Sequence, residues 1–295
     1  MPFAFSTILH ADRTGWSPAP TRDERARVFR WAVDHGFDGL EWSPRWCDVH
    51  DLGNRQIEAL GREVSAANTR VVAINLNRFL LIGHSRASEY QSRTSRAIDF
   101  ASRMNCPVVV ISLSVPAPPG QSRPIATGNQ FSQTDWRQTR DLLRMFADQA
   151  AEQHVALSLE LHDDGMLDTA ERTLKMIDSV GRDNVGSNPD LGNLIRQHAD
   201  ADWESALRLL APSMNHWHVK NYRDRQPMPL HSGSIDYLRA CRMVMDQGYK
   251  GWISMETYFG DDLLSLQLSG LAYLSDTLAS MQLQPPQSPS RGKPF

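Results

Sequence analysis

Four residues in the second half of the chain have types and spacing that could do metal chemistry: Glu160, Asp190, His218 and Glu256. Each falls in a short apolar run: ALSLELHDD (156–164), VGSNPDLGN (185–193), MNHWHVKNY (214–222) and GWISMETY (251–258). A carboxylate flanked by apolar residues in a buried strand carries a large desolvation cost unless it is paired or metal-bound. The pattern recurs in four consecutive units, which favours a shared site over four separate ion pairs. Three carboxylates and one imidazole could hold one divalent cation. Such oxygen-rich donors suit Mn²⁺, Mg²⁺ or Co²⁺ better than a closed structural zinc site, where cysteines are expected.

Other polar groups are drawn in by the two-residue period of a strand. His162 shares a face with Glu160 and is a candidate acid/base, substrate-binding or orienting group. His216, His218 and Lys220 also share one face, with His216 the deeper residue. Lys220 then points at the pocket, to hold a substrate oxyanion or to pair with one of the carboxylates. Trp42, Trp46 and Trp16 lie at or just after early strands, where an indole could form a wall under a sugar ring or simply pack in the core. His10, Glu41 and Asn77 also sit at expected strand ends, and Arg223 and Arg225 could meet an anionic group.

The gaps between the four principal residues are 30, 28 and 38 positions, each about the length of one strand, one helix and two connections. Earlier runs, FAFSTIL (3–9), DGLEW (38–42), VVAINLN (71–77) and PVVVISLS (107–114), bring the expected strands to eight. Amphipathic segments alternate with them, at roughly 21–35, 54–67, 86–104, 134–153, 168–180, 201–211, 234–247 and 261–282. The first helix is signalled by Pro20 and Thr21 at its start and Gly36 just past its end. This order predicts a single (β/α)8 TIM barrel over residues 1–283, with a doubly wound open sheet as runner-up. No G-x-G-x-x-G follows a strand, which removes support for the dinucleotide-binding version of the open sheet. Loops after strands are long (10–20, 43–51, 115–133, 221–233) and loops after helices short. The long loops therefore crowd the face that carries chemistry in barrels, as a lid would. The proline-rich end, 284–295, is expected to be a disordered tail.

Composition narrows the class. The chain is 41% hydrophobic and 22% charged, with a net charge of −3, which argues against a nucleic-acid partner. Cys47, Cys106 and Cys241 are odd in number and widely separated, and read as free thiols of a reducing compartment. No apolar stretch approaches the ~20 residues of a membrane span, and the start lacks a charged segment before its apolar run. A cytoplasmic protein is expected; the sequence is silent on oligomeric state and leaves a homo-oligomer or a partner subunit open.

Glu160-x-His162, the NPDLGN around Asp190, His218-Val-Lys220-Asn221, Gly233-Ser-Ile-Asp236 and Met255-Glu256 together resemble the xylose isomerase-like TIM barrels, over residues 3–282. That superfamily includes sugar-phosphate isomerases and epimerases, ketose 3-epimerases, inosose dehydratases, 3-dehydroshikimate dehydratases and the endonucleases that act on abasic DNA. The resemblance implies one divalent ion on Glu160, Asp190, His218 and Glu256, with Mn²⁺ first and Mg²⁺, Co²⁺ or Zn²⁺ as alternatives. It also implies that Glu160 and Glu256 exchange a proton next to a carbonyl of a keto sugar, through a metal-stabilised enediolate. Three positions depart from the ketose epimerases: Asn193 stands for a histidine, Asp224 for an arginine, and Asn221 follows Lys220 where many members have aspartate.

The expected function is a metal-dependent sugar isomerase or epimerase. Its catalytic residues are Glu160, Glu256 and His162, and Lys220, Asn193, Trp42, His10 and Arg223 face a small sugar-like substrate. A lyase acting on a keto sugar, keto-inositol or dehydroshikimate-like substrate is the alternative, since the same enolate can expel a leaving group. The endonuclease needs further histidines that Asn75, Asn77, Ser112, Ser114 and Asn193 do not supply.

Overall fold

Parallel pairing carries the chain around a ring. The strands are β1 (Phe3–Ser6), β2 (Gly39–Trp42), β3 (Val71–Leu76), β4 (Val108–Ile111), β5 (Ala156–Glu160), β6 (Val185–Asn188), β7 (Trp217–Val219), β8 (Asn221–Arg223), β9 (Gln226–Met228) and β10 (Ile253–Met255). The computed structural model describes residues 1–10, 19–116, 126–257 and 262–282. In it, one eight-stranded sheet runs β6-β5-β4-β3-β2-β1-β10-β7. Each neighbouring pair is parallel. The ring closes where a parallel bridge joins Ser187 to Met214 and the Asn215 N–H donates to the Ser187 carbonyl at 3.1 Å. Gly186 permits that seam: a Cβ there would lie 2.5 Å from Asn215 Cγ and 2.6 Å from the Ser213 carbonyl oxygen.

Helices cover the outside: α1 (Arg22–Asp34), α2 (Asn54–Ala66), α3 (Ala87–Arg103), α4 (Gln133–Glu152), α5 (Ala170–Val180), α6 (Leu191–Gln197), α7 (Trp203–Leu210), α8 (Tyr237–Asp246) and α9 (Leu263–Gln282). This is the single (β/α)8 TIM barrel that the order of elements predicts, and the open-sheet alternative is set aside. Helix α1 starts as expected: Thr21 accepts from the Glu24 N–H, and the Glu24 carboxylate accepts from the Thr21 N–H at 2.6 Å. Gly36, at φ +88°, takes the chain out of the helix in a conformation that favours glycine.

Successive strand residues point to opposite sides of the sheet. One parity (Leu40, Ile74, Val109, Leu159, Trp217, Met255) packs against the helices in the main core. The other faces the lumen, where a small apolar plug of Ala73, Val108 and Val110 fills the end near the strand N-termini. Farther along the same strands the lumen is polar: Glu41, Asn75, Glu160, His216 and His218 are all fully buried. Burying so many polar groups is costly unless they satisfy one another or bind something, so the lumen is where chemistry is to be sought.

Four local readings are corrected. The 185–193 run is not one strand: β6 stops at Asn188, and Asp190 caps α6 by accepting from the Asn193 N–H at 3.0 Å. The loop after β7 holds a hairpin, β8–β9, whose tip residues Asp224 and Arg225 both have positive φ, 51° and 63°, as a tight two-residue turn requires. His10 ends a 3-10 helix, Thr7–His10, rather than a strand, and is exposed. Trp16 and the 284–295 tail lie outside the described residues.

Trp42 is the fourth correction. Its neighbour Glu41 faces the lumen, so Trp42 points outward, with its ring 6.2 Å from Phe29 and 5.5 Å from Phe100. Its Nε1–H donates to the Cys47 carbonyl at 3.0 Å. The indole supports the barrel wall and is not the floor of a sugar site. Trp42→Phe should therefore lower stability by on the order of 1–3 kcal/mol, from the lost hydrogen bond and the vacated volume. Thermal unfolding checks the loss, and metal content should stay unchanged.

Candidate metal centre

Glu160 is the last residue of β5, Asp190 caps α6 just beyond β6, His218 is the middle residue of β7 and Glu256 immediately follows β10. In the closed ring these are four consecutive strands, so the two glutamates end an arc with Asp190 and His218 between them. Each residue offers one ligand atom, all within 4.8 Å of one another. All four side chains are buried.

The hydrogen bonds fix most of these atoms. His218 Nδ1 lies 3.3 Å from Glu160 Oε1 and 3.5 Å from Glu256 Oε2. Lys220 Nζ sits 2.7 Å from Asp190 Oδ2 and 3.0 Å from Glu256 Oε2. Gly192 allows that approach, since a Cβ there would lie 2.4 Å from Lys220 Cγ. The Asn193 amide donates to Glu160 Oε1 at 3.1 Å, and the Asn75 amide to Glu256 Oε1 at 2.8 Å. Among the described residues, Glu160 Oε2 is buried with no hydrogen-bond partner. A divalent cation fits this set: it would satisfy the orphaned oxygen and offset three buried carboxylates that Lys220 and His218 balance only in part.

Electrostatics follow from the geometry. Burial pushes the Asp190 carboxyl up, Lys220 pulls it back, and Glu160 and Glu256 push it again, leaving it at about 6. Burial opposes the charge on His218, but Glu256, Glu41 and Glu160 overcome it and raise its pKa well above the ordinary value. Burial would raise Glu160, yet His162, which is charged in the acid range where Glu160 titrates, together with His218 and Lys220 brings it to about 2. His162 itself falls to about 3 through burial, only partly offset by Glu160. At neutral pH His162 is thus uncharged, and His218 and Lys220 are the cations that hold Glu160 ionised.

The remaining expected residues divide. The strand period places Lys220 on the pocket side, where it takes the ion-paired option. Asn193 also turns inward. His162 lies beside the cluster, but both its nitrogens are engaged: Nδ1–H donates to the Asp163 carbonyl at 2.7 Å with Ser114 Oγ at 2.7 Å, and Nε2 accepts from Asn77 at 3.3 Å. Asp163 is in turn paired with Arg78 at 3.4 Å and with Arg196. Arg223 is exposed on the hairpin and donates to the Gly233 carbonyl at 3.4 Å. His10 stacks at a tilt, 6.1 Å from Trp46.

Sequence reasoning underrated Glu41. It is fully buried, and its Oε2 accepts from His216 Nε2 at 3.0 Å and His218 Nε2 at 2.7 Å. Burial pushes its carboxyl up, but His218 and His216 outweigh that and hold it well below the usual range. The available signal was parity: Glu41 shares the lumen face with Gly39, whereas its two histidine partners lie 175 and 177 positions away.

The profile of the xylose isomerase-like TIM barrel family matches residues 29–276. Among solved structures, the chain is similar to a xylose isomerase-like TIM barrel protein from Mycobacterium smegmatis in complex with magnesium, at 21% identity and TM-score 0.82, covering 95% of this chain and 97% of that one. An L-ribulose 3-epimerase matches at 18% identity and TM-score 0.73, over 98% of this chain and 100% of its own. A probable 3-DHS dehydratase involved in petrobactin synthesis from Bacillus anthracis matches at 18% identity and TM-score 0.71, over 93% and 99%. No curated protein matches in sequence.

Proposed function

The chain belongs to the xylose isomerase-like TIM barrel family, and on that premise we propose that it is a divalent-metal-dependent isomerase or epimerase of a keto sugar or sugar-like substrate. One observation carries the reading: two buried glutamates end an arc that also holds a histidine and an aspartate, with every donor atom within 4.8 Å of the others. Glu160, Asp190, His218 and Glu256 would hold the ion, with Mn²⁺ put first by the family resemblance and Mg²⁺, Co²⁺ or Zn²⁺ as alternatives that the oxygen-rich donor set also suits. When bound, it would polarise the substrate carbonyl and stabilise the negative charge that develops as the adjacent proton leaves.

The protein's own groups supply the rest. By the family resemblance, one glutamate takes the proton and the other returns one, and their places at the two ends of the arc suit that division. Asn193 and His218 hold Glu160 Oε1, and Oε2, which has no hydrogen-bond partner among the described residues, is left to the ion. Asn75 and Lys220 fix both oxygens of Glu256. Lys220 also sets positive charge beside the reacting region. With both nitrogens engaged, His162 shapes the wall rather than moving a proton.

The lyase reading shares the first step but needs an acid for the leaving group. Of the two candidates, His162 is neutral and hydrogen-bonded on both sides, which leaves Lys220. The printed name of the dehydratase neighbour keeps this reading second.

The test is solvent exchange. Metal-loaded protein in D₂O should place deuterium next to the carbonyl of at least one member of a panel of ketoses and keto-inositols, read by NMR. A fully loaded protein that exchanges none of them overturns the reading; exchange accompanied by loss of water favours the lyase.

Metal binding should also release protons. The raised pKa of His218 keeps its ring doubly protonated at pH 7 in the metal-free protein, and ligation requires a bare nitrogen, so affinity rises with pH. Below about 6 the Asp190 carboxyl is protonated as well. Calorimetry in buffers of differing ionisation enthalpy should report release of about one proton at pH 7 and closer to two near pH 5. No release at either pH would contradict the assignment.

A further inference from the structure

Glu41 is a carboxylate buried at the centre of the lumen, outside the four proposed ligands. Four donors hold it: Ser6 Oγ at 2.9 Å and the Asn75 amide at 3.1 Å on Oε1, with His216 Nε2 at 3.0 Å and His218 Nε2 at 2.7 Å on Oε2. That full set of partners explains how a buried charge is tolerated without an ion of its own. It leaves open why a charge is there at all, since an apolar residue would fill the space at lower cost.

The His218 ring answers this. Its Nε2 meets Glu41, and its Nδ1 faces Glu160 at 3.3 Å and Glu256 at 3.5 Å. The imidazole thus spans two sets of carboxylates, and only the Nδ1 side opens on the proposed site. We infer that Glu41 is a positioning residue that accepts the Nε2–H of His218 and so presents Nδ1 to the ion. A metal-bound histidine whose other N–H is held by a carboxylate is fixed in orientation and made a stronger donor. The same network reaches a second ligand: the Asn75 amide donates both to Glu41 and, at 2.8 Å, to Glu256 Oε1. His216, with its ring edge-on to His218 at 5.3 Å, donates from the far side and keeps Glu41 from swinging away. The inference rests on His218 being a ligand, as proposed above.

The test compares Glu41→Ala and Glu41→Gln by two measurements. One is Mn²⁺ affinity by calorimetry. The other is the downfield Nε2 proton of His218 in metal-free, ¹⁵N-histidine-labelled protein, identified by its loss in His218→Gln. In Glu41→Ala, Mn²⁺ should bind about 10–100-fold more weakly and the Nε2 proton should exchange rapidly with water. Glu41→Gln, whose amide oxygen still accepts, should keep that proton with a smaller downfield shift and recover much of the affinity. Wild-type affinity in Glu41→Ala, or an unmoved Nε2 proton in both variants, overturns the inference. Should Glu41→Ala not fold, the Nε2 shift in Glu41→Gln decides alone. If the wild type binds no Mn²⁺ while its Nε2 proton responds to Glu41, the metal reading fails and the orienting role stands.

Discussion

Glu256→Gln, assayed at saturating metal, is expected to slow solvent-proton exchange by about 10²–10⁴-fold, the usual worth of a positioned acid/base group. The amide is nearly isosteric with the carboxylate, and the Asn75 amide can still donate to its oxygen from 2.8 Å. It cannot accept or return a proton, and it is a weaker donor to a divalent ion, so the metal midpoint should rise as well. Measuring exchange across a metal titration separates the two effects: the rate lost at the plateau belongs to proton transfer. A plateau within about tenfold of wild type would remove Glu256 from the acid/base pair.

Lys220→Met should destabilise the metal-free protein by about 3–5 kcal/mol, because it removes the cation that two buried carboxylates share and leaves His218 as the nearest positive charge to the cluster. Lys220 is 3% exposed and lies 2.7 Å from Asp190 and 3.0 Å from Glu256. In a chain of this size the drop in melting temperature is on the order of 10 °C. The sign with pH is fixed by Asp190, whose carboxyl already sits at about 6. A carboxyl raised above its unfolded value favours folding when protonated, and that contribution is lost as pH rises through its folded pKa. Removing Lys220 raises it further, so the deficit should be small near pH 4 and large at pH 7. Adding metal replaces the missing charge, and the metal-induced rise in melting temperature should exceed that of the wild type. A metal-free variant as stable as the wild type at pH 7 would show that the lysine is not balancing the cluster.

Local pattern carried much of this far. Apolar runs and capping residues such as Thr21 mark the strands and helices because they act over a few positions. The two-residue period placed His216, His218 and Lys220 on one face, and the side chains do turn together into the lumen. The same rule, applied to β2, would have separated Glu41 from Trp42, since adjacent strand residues cannot both face inward. Asp190 read as a strand end because β6 runs straight into α6, with the aspartate as the cap of a helix too short to show a period. What no single-run pattern contains is convergence: Asn75 reaches Glu256 across 181 positions and Asn193 reaches Glu160 across 33. Those contacts are set by the order and register of strands around the ring.

The most direct test is the metal content of protein purified without chelators, by elemental analysis beside the Glu160→Gln variant. About one divalent ion per chain in the wild type, lost or weakened in the variant, is the expected result. No bound metal, even after reconstitution with Mn²⁺, Mg²⁺, Co²⁺ and Zn²⁺ in turn, would contradict it and reduce the four residues and Lys220 to a buried ion-pair network.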